Sequence, residues 1–591
     1  MSFWGAIRRE YIYLSSVLRT VLMIRRLKPE ARRTIVDVVE EWARKTPNAP
    51  ALYYLDTVMS YAALDARANQ YAHWALSLGL KQGDTVALFM ENRPDFICVW
   101  LGLFKAGLCA ALINTNQRGQ ALAHSIEIAG ARHLIAGSEL ASCLPETEPF
   151  FATKPQFWIE GSGDGNLDHA LAKSAGTSPG RGARENVRQK DRAFYIYTSG
   201  TTGLPKAANF SHMRMLFMMS GFLGALRPNS SDRIYDALPL YHATGGICAV
   251  GMALLPGGAL VIKKRFSVSE FWGDIHKYDA TLFVYIGEMC RYLLNAPEAP
   301  QERGHHIRAI TGNGLRPEIW PQFQKRFAIP RIVEFYGATE GNVSMLNYDG
   351  TVGAVGRVPE YIESMLPTRV VRFDVEKEIP VRGPDGLCIE CEPDEVGEAI
   401  GGISAKAGRD FEGYTKAADT QKKILHDVFR KGDAWFRTGD LMRRDALGYF
   451  YFVDRIGDTY RWKGENVATS EVTQALSVIP GVREANVYGV KVPGMDGRAG
   501  MAALVVDGDF DIAGLGSRLR LPHYGKPVFL RLQPEIAVTG TFKQRKVELV
   551  KDGFDPSALP DPVYWLNPAG DSYEKLTPAI YAEIIEDRIK L

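Results

Sequence analysis

Cysteine is scarce in this 591-residue chain, with seven residues at 98, 109, 143, 248, 290, 388 and 391 and no spacing that outlines a disulfide framework. That usage fits a reducing cytosol rather than an oxidising compartment. Cys388-Ile-Glu-Cys391 is a lone CxxC with no second pair, and reads more simply as two small half-buried residues than as a zinc or redox site. Charge of one sign is scarce too. Seventy basic and 68 acidic residues leave a net +2, so no bulk field is present to hold nucleic acid. Internal repeats and sustained heptads are absent. What remains is ordinary globular composition, 46% hydrophobic and 23% charged, in a chain too long for one hydrophobic core, so two or more domains are expected.

The N-terminus departs from this balance. Residues 1–33 carry eight Arg/Lys against Glu10 and Glu30, and Leu14, Val17, Leu18, Val21 and Leu22 recur at helical spacing. Their longest uncharged run, Tyr11 to Leu18, is too short to span a bilayer, and no small-residue cleavage site follows. Two readings stand: a basic amphipathic helix on an anionic membrane surface, or a helix packed on the protein's own core. The first would put a cytoplasmic protein at the inner face of the cell membrane.

From Pro47 to about residue 137, helical patterns alternate with short apolar strands such as 85–90, the signature of layered α/β packing. Residues 161–191 are polar and rich in Gly and Ser, which predicts a surface loop. A strand over 193–197 runs directly into a Gly/Thr cluster, and α/β units continue to about 455. A smaller pattern follows, with a helix N-capped by Ser470 and strands at 485–490 and 500–506. The expected organisation is a basic segment over 1–33, a large α/β domain over 34–455 and a small α+β domain over 456–591.

The chemistry concentrates in Tyr197-Thr-Ser-Gly-Thr-Thr-Gly-Leu-Pro-Lys206. Glycines at 200 and 203 let the backbone approach an oligophosphate, Thr198, Ser199, Thr201 and Thr202 add hydroxyl donors, and Lys206 adds a cation. The spacing is not that of a Walker A loop.

This segment resembles the phosphate loop of the acyl-adenylate-forming enzymes, a family that includes acyl-CoA synthetases, luciferases and peptide-synthetase adenylation domains. Further motifs follow in family order. Leu238-Pro-Leu-Tyr-His242 resembles the border of the carboxylate and acyl tunnel. His242 on its own is as readily a core histidine as an active-site one. Thr311-Gly-Asn-Gly-Leu315 resembles the loop beside the adenine, which implicates Gly312, Asn313 and Gly314. Tyr336-Gly-Ala-Thr-Glu-Gly341 is similar to the motif in which Tyr336 and Gly337 border the nucleotide, Thr339 meets the α-phosphate and Glu340 the magnesium, with Thr201 as second metal contact. Arg437-Thr-Gly-Asp440 resembles the ribose motif, and Asp454-Arg455 the end of the large domain, where Arg455 helps hold the nucleotide. Thr539-Gly-Thr-Phe-Lys543 resembles the segment with the catalytic lysine; choosing Lys543 over Lys546 rests on this likeness.

Gly457 to Val467 and the stretches 561–566 and 576–581 are similar to the fatty-acid transport protein/very-long-chain acyl-CoA synthetase branch. The resemblance implies a fold with a large α/β domain and a small mobile α+β domain, and a reaction in which ATP, with Mg2+, activates a long-chain fatty acid as acyl-adenylate. Coenzyme A then takes the acyl group. It also implies that the small domain swings about Gly457, where the family usually has Asp or Lys, and brings Arg461 and its neighbours to a pantetheine channel. Other outcomes are transfer to a carrier protein, a bulkier carboxylate such as a bile acid, or membrane uptake of fatty acid. The chemistry itself is coherent, because a transition state joining a carboxylate to ATP gathers negative charge and needs donors and cations placed in advance.

Overall fold

The computed structural model describes the chain apart from residues 1–2, 162, 164, 199–203, 376, 405–410, 464, 496, 540–543, 569–570 and 590. Two compact units emerge, one of residues 1–358 with 401–425, the other of 359–400 with 426–591.

The first unit holds two sheets. One runs in the order Ser344–Leu346, Ile332–Gly337, Ala309–Asn313, Leu282–Ile286, Arg233–Asp236, Ala259–Ile262, Pro50–Tyr54 and Thr57–Ser60, parallel except at its two edge strands. The other runs Gln156–Glu160, His133–Gly137, Thr85–Phe89, Cys109–Leu112, Arg192–Thr198 and Lys206–Ser211, with only the last pair antiparallel. Thr85-Val-Ala-Leu-Phe89 is buried throughout, as expected of a parallel strand covered on both faces. The expected strand at 193–197 is found as Arg192–Thr198. The 161–191 stretch is more than a loop. It carries a short helix, Asn166–Ala172, started by Asp168, whose carboxylate collects the N–H groups of Gly161, Gly163 and Gly165.

The N-terminal helix, Phe3–Ile24 (α1), packs on the protein's own core through one face. Tyr13, Ser16 and Thr20 are buried. Tyr13 packs edge-on against Tyr348 and donates to the Arg357 carbonyl at 3.0 Å. Arg19 donates to the Gly224 carbonyl on helix His212–Leu226 (α2) at 3.1 Å. The outward face is apolar: Trp4 (76% exposed), Ile7, Tyr11 (72%), Leu14, Leu18 (60%) and Leu22 form one stripe at three- and four-residue spacing. Of the five residues in the sequence-read stripe, Leu14, Leu18 and Leu22 lie on this face, while Val17 and Val21 are half-buried at its edge. Among the described residues no helix is long and apolar enough to cross a membrane.

The second unit contains strands in the order Tyr449–Arg455, Ala434–Arg444, Val396–Gly402, Thr368–Asp374 and Ile379–Pro380, and a sheet of Val482–Val490, Ala499–Val506, Phe529–Leu532, Val563–Asn567 and Ser572–Lys575. Phe529, Trp565, Val487 and Leu504 anchor its core. The helix expected to start on Ser470 runs Thr469–Ser477, and Ser470 is not its cap. Asp454 does that work from fifteen residues away, accepting from both the backbone N–H and the hydroxyl of Thr469, while the Ser470 hydroxyl donates to the Val453 carbonyl.

Candidate active site

Three of the sequence motifs converge at the ends of strands in the first unit. Thr311-Gly-Asn-Gly-Leu315 follows one central strand, Tyr336–Gly341 its neighbour, and Lys206 opens the edge strand that pairs with Arg192–Thr198. Residues 199–203, which include Ser199, Gly200, Thr201, Thr202 and Gly203, lie outside the described residues, so the phosphate loop is known here from its two ends, Thr198 and Lys206.

The 311–315 motif is held by a carboxyl that belongs to none of the motifs. Glu334 accepts from the Tyr285 hydroxyl at 2.6 Å, Leu315 N at 3.0 Å and Gly314 N at 3.1 Å. Burial pushes its carboxyl up to about 8, although all three donors pull the other way. Gly312 is a packing requirement: a Cβ there would stand 2.2 Å from the Tyr285 carbonyl oxygen. Gly314, at φ +84°, adopts backbone that favours glycine. Asn313 between them is half-buried.

The Tyr336–Gly341 segment is tied down from α2. Arg214 donates through Nη2 to the carbonyls of Thr339 at 2.8 Å, Ala338 at 3.1 Å and Gly341. Tyr336, Thr339 and Glu340 stay half-buried and Gly337 exposed. Beside them Met213, Phe217 and Met218 of α2 face residues 337–344 across a mainly apolar slot.

The 238–242 motif is clamped by Asn92, whose amide donates to Leu238 O at 2.7 Å while its carbonyl accepts from Leu240 N at 2.8 Å. Asp236 accepts from Leu238 N at 3.0 Å, and burial raises its carboxyl to about 8. Tyr241 is buried; His242 is half-buried, and its carbonyl accepts from Gly246 N at 2.7 Å.

In the second unit, Asp440 and Arg455 face each other across an antiparallel pair, 3.8 Å apart as an ion pair. Arg437 serves the fold by pairing with the fully buried Glu398 at 2.8 Å. Arg461 belongs to a hairpin of Tyr460–Trp462 and Glu465–Val467. Lys543 lies outside the described residues. Its rival Lys546 is engaged, 3.2 Å from Asp458 and donating to the Thr469 hydroxyl at 2.8 Å. At Gly457 a Cβ would meet nothing within 4 Å. Cys388 and Cys391 are both free thiols, and the described residues hold no group of three or more His, Cys, Asp or Glu suited to a metal. Among the described residues, a magnesium ion could draw on single carboxylates such as Glu340. That donor set suits an ion bound largely through phosphate oxygens.

The family model described as AMP-binding enzyme matches residues 39–386, more than half of the chain. The chain belongs to the AMP-binding enzyme family. Within that family it belongs with the long-chain fatty acid transport proteins. Long-chain fatty acid transport protein 2 of Rattus norvegicus is 41% identical, over 99% of this chain and 95% of its own length. Long-chain fatty acid transport protein 1 of Mus musculus is also 41% identical, over 98% and 91%. Among solved structures, ATP-bound MatB from Rhodopseudomonas palustris superposes with a TM-score of 0.74 at 23% identity, over 87% of this chain and 98% of MatB. The α/β architecture read from sequence is thus the fold of adenylate-forming ligases. The AMP-binding motifs were legible in the sequence, but Asn92, Glu334 and Arg214 were not. The one local hint was an acid inside the apolar strand Ile332-Val-Glu-Phe-Tyr336, two residues before the motif tyrosine.

Proposed function

We propose that this AMP-forming ligase is a long-chain fatty acyl-CoA synthetase. The observation that carries the reading is that the motifs at 197–206, 311–315 and 336–341 lie at strand ends within one unit. The carboxylate of a fatty acid attacks the α-phosphorus of ATP, diphosphate leaves, and the thiol of coenzyme A then takes the acyl group and releases AMP. Magnesium, when bound, neutralises phosphate charge, and Glu340 with Thr201 would hold it. Residues 198–206 cradle the phosphates, Gly312, Asn313 and Gly314 border the adenine, Thr339 meets the α-phosphate, and Asp440 and Arg455 take the ribose. Residues 456–591 act as the moving domain about Gly457, presenting Lys543 for adenylation and the Arg461 hairpin for thioester formation. The engagement of Lys546 by Asp458 and Thr469 supports Lys543 as the reactive lysine. The slot beside residues 337–344 is too small as it stands to hold an acyl chain, and it is the names of the relatives that favour a long one.

The outward face of α1 supports a membrane-surface location. Its buried face bonds to α2, which lines that slot, and its outward stripe is apolar and flanked by Arg8, Arg9, Arg25 and Arg26. An in-plane amphipathic helix on anionic lipid has this composition.

One experiment tests both parts. Pyrophosphate release is measured over acids from acetate to very long chains, presented in detergent or on anionic vesicles, with the full chain and with a Trp4, Tyr11, Leu18→Ser triple variant. Long acids should be preferred, and the triple variant should lose rate on vesicles alone. Best turnover of acetate would refute the long-chain reading, and equal rates of both proteins on vesicles would refute the membrane location.

A further inference from the structure

Lys546, three residues beyond the lysine assigned to adenylation, is fastened to the chain just past the ribose-motif strands. Its ammonium stands 3.2 Å from an Asp458 carboxylate oxygen and donates to the Thr469 hydroxyl at 2.8 Å. The first contact is an ordinary ion pair. Asp458 is 34% exposed, and a pair in that setting contributes little by itself. Thr469, by contrast, is buried, and its hydroxyl passes the interaction inward by donating to Asp454 at 3.0 Å. Asp454 is buried as well, accepts from Thr469 N at 2.5 Å, and lies opposite Leu441, next to the facing residues Asp440 and Arg455. One ammonium thus reaches, through one hydroxyl, the strand end that carries the residues assigned to the ribose.

The backbone beside Lys546 is held by other parts. Arg545 N donates to the Ala537 carbonyl and the Arg545 carbonyl accepts from the amide of Asn486, both at 3.0 Å, while Val538 bridges to Gln544. Asn486 is fully buried in the strand Val482–Val490. Attachment to a single strand leaves a rotation about the line of attachment. The Lys546 side chain supplies a further point on a different element, the start of the helix Thr469–Ser477, and so stops that rotation. Lys543 is three residues away, at most about 10 Å of chain, so a roll at this anchor is carried to its ammonium. Misplacing a reacting group by about 1 Å can cost on the order of 100-fold in rate.

We propose that Lys546 is a positioning residue for adenylation, which sets the orientation of the segment carrying Lys543 by tying its base to Thr469 and Asp458. The proposal rests on the adenylate-forming reading above for the role of Lys543. Lys546→Met keeps the length of the side chain and removes both ties. Lys546→Arg can still donate to Thr469 and pair with Asp458.

The test measures the two half-reactions separately on the full chain. Lys546→Met should slow pyrophosphate release by about 10- to 100-fold in kcat, with KM for ATP unchanged. Thioester formation from pre-made acyl-adenylate and coenzyme A should stay at the wild-type rate, and Lys546→Arg should restore most of the adenylation loss. In a Lys543→Ala background, Lys546→Met should add less than about twofold, because the group it positions is gone. Unchanged pyrophosphate release in Lys546→Met overturns the proposal. So does an equal loss in both half-reactions or both backgrounds, or a loss that disappears when rates are taken well below the melting temperature. Adenylation that survives Lys543→Ala but is abolished by both Lys546 variants would make Lys546 the reactive group itself, which also overturns it. Failure of the functional reading shows separately, as a wild-type chain that releases no pyrophosphate with any carboxylic acid.

Discussion

Gly312 and Gly457 differ in what surrounds them. Gly312 is packed so closely that a single added carbon would stand 2.2 Å from a backbone oxygen, with the Tyr285 ring almost as near. Gly457 faces open space, and its backbone is not in the left-handed region that favours glycine. The first glycine is dictated by the structure as it stands. Nothing in the described conformation dictates the second. The 311–315 loop is accordingly a fixed part, with Glu334 and Tyr285 locking it, whereas residue 457 is sterically unconstrained.

The comparison breaks most severely at Gly312. Gly312→Ala has no flexible neighbour to push aside, because the nearest atom is main chain. Overpacking of this kind costs about 1–3 kcal/mol and occasionally more, and the shift falls on the loop assigned to the adenine. The expected outcome is a melting temperature lower by several degrees with loss of measurable ATP binding by calorimetry. Normal stability and normal ATP affinity would show that the loop is as tolerant as residue 457.

A smaller effect is expected from the lock itself. The Glu334 carboxyl titrates near 8 when folded, against about 4.3 in an unfolded chain. Between those values the folded state binds the extra proton, so stability is greatest below about pH 4.3 and falls as pH rises through 8. Asp236 behaves alike. Glu334→Gln keeps one accepting oxygen, enough for Leu315 N and the Tyr285 hydroxyl but not also for Gly314 N, and cannot ionise, so its melting temperature, although lower at the outset, should decline less between pH 5 and 9 than that of the wild type. Parallel declines would mean that Glu334 is already charged in the fold.

Why some of this was legible in the sequence and some was not follows from range. The motifs at 197–206, 238–242, 311–315 and 336–341 are contiguous stretches, and contiguity is what a sequence displays. Their supports are remote. Asn92 reaches residues 238 and 240, and Arg214 reaches 338–341, across separations of 124 to 148 positions. Ser470 shows the same limit at short range: its local pattern is that of a cap, yet Asp454 takes the role through tertiary geometry. For α1 the helical period was visible, but which side faces the protein depends on small residues, Ser16 and Thr20, fitting against α2, where a Cβ on Gly224 would stand 1.9 Å from the Thr20 hydroxyl.

The smallest effect, and the one that most sharpens the comparison, is expected at Gly457. Alanine there meets no atom within 4 Å, so the melting temperature should not move, and pyrophosphate release from fatty acid and ATP should match the wild type. Alanine does narrow the backbone angles the residue can visit, since glycine reaches positive φ at little cost and alanine does not. If the swing that carries the Arg461 hairpin to coenzyme A passes through such angles, a penalty of about 1 kcal/mol slows only the second half-reaction, by roughly fivefold. Supplying pre-made acyl-adenylate and coenzyme A isolates that step. Lys543→Ala supplies the opposite pattern, losing the first half-reaction by about 100- to 1000-fold while keeping the second. Equal rates for Gly457→Ala and wild type in both halves would place the pivot elsewhere, whereas slowing of adenylation would mean that residue 457 already bears on the conformation that binds ATP.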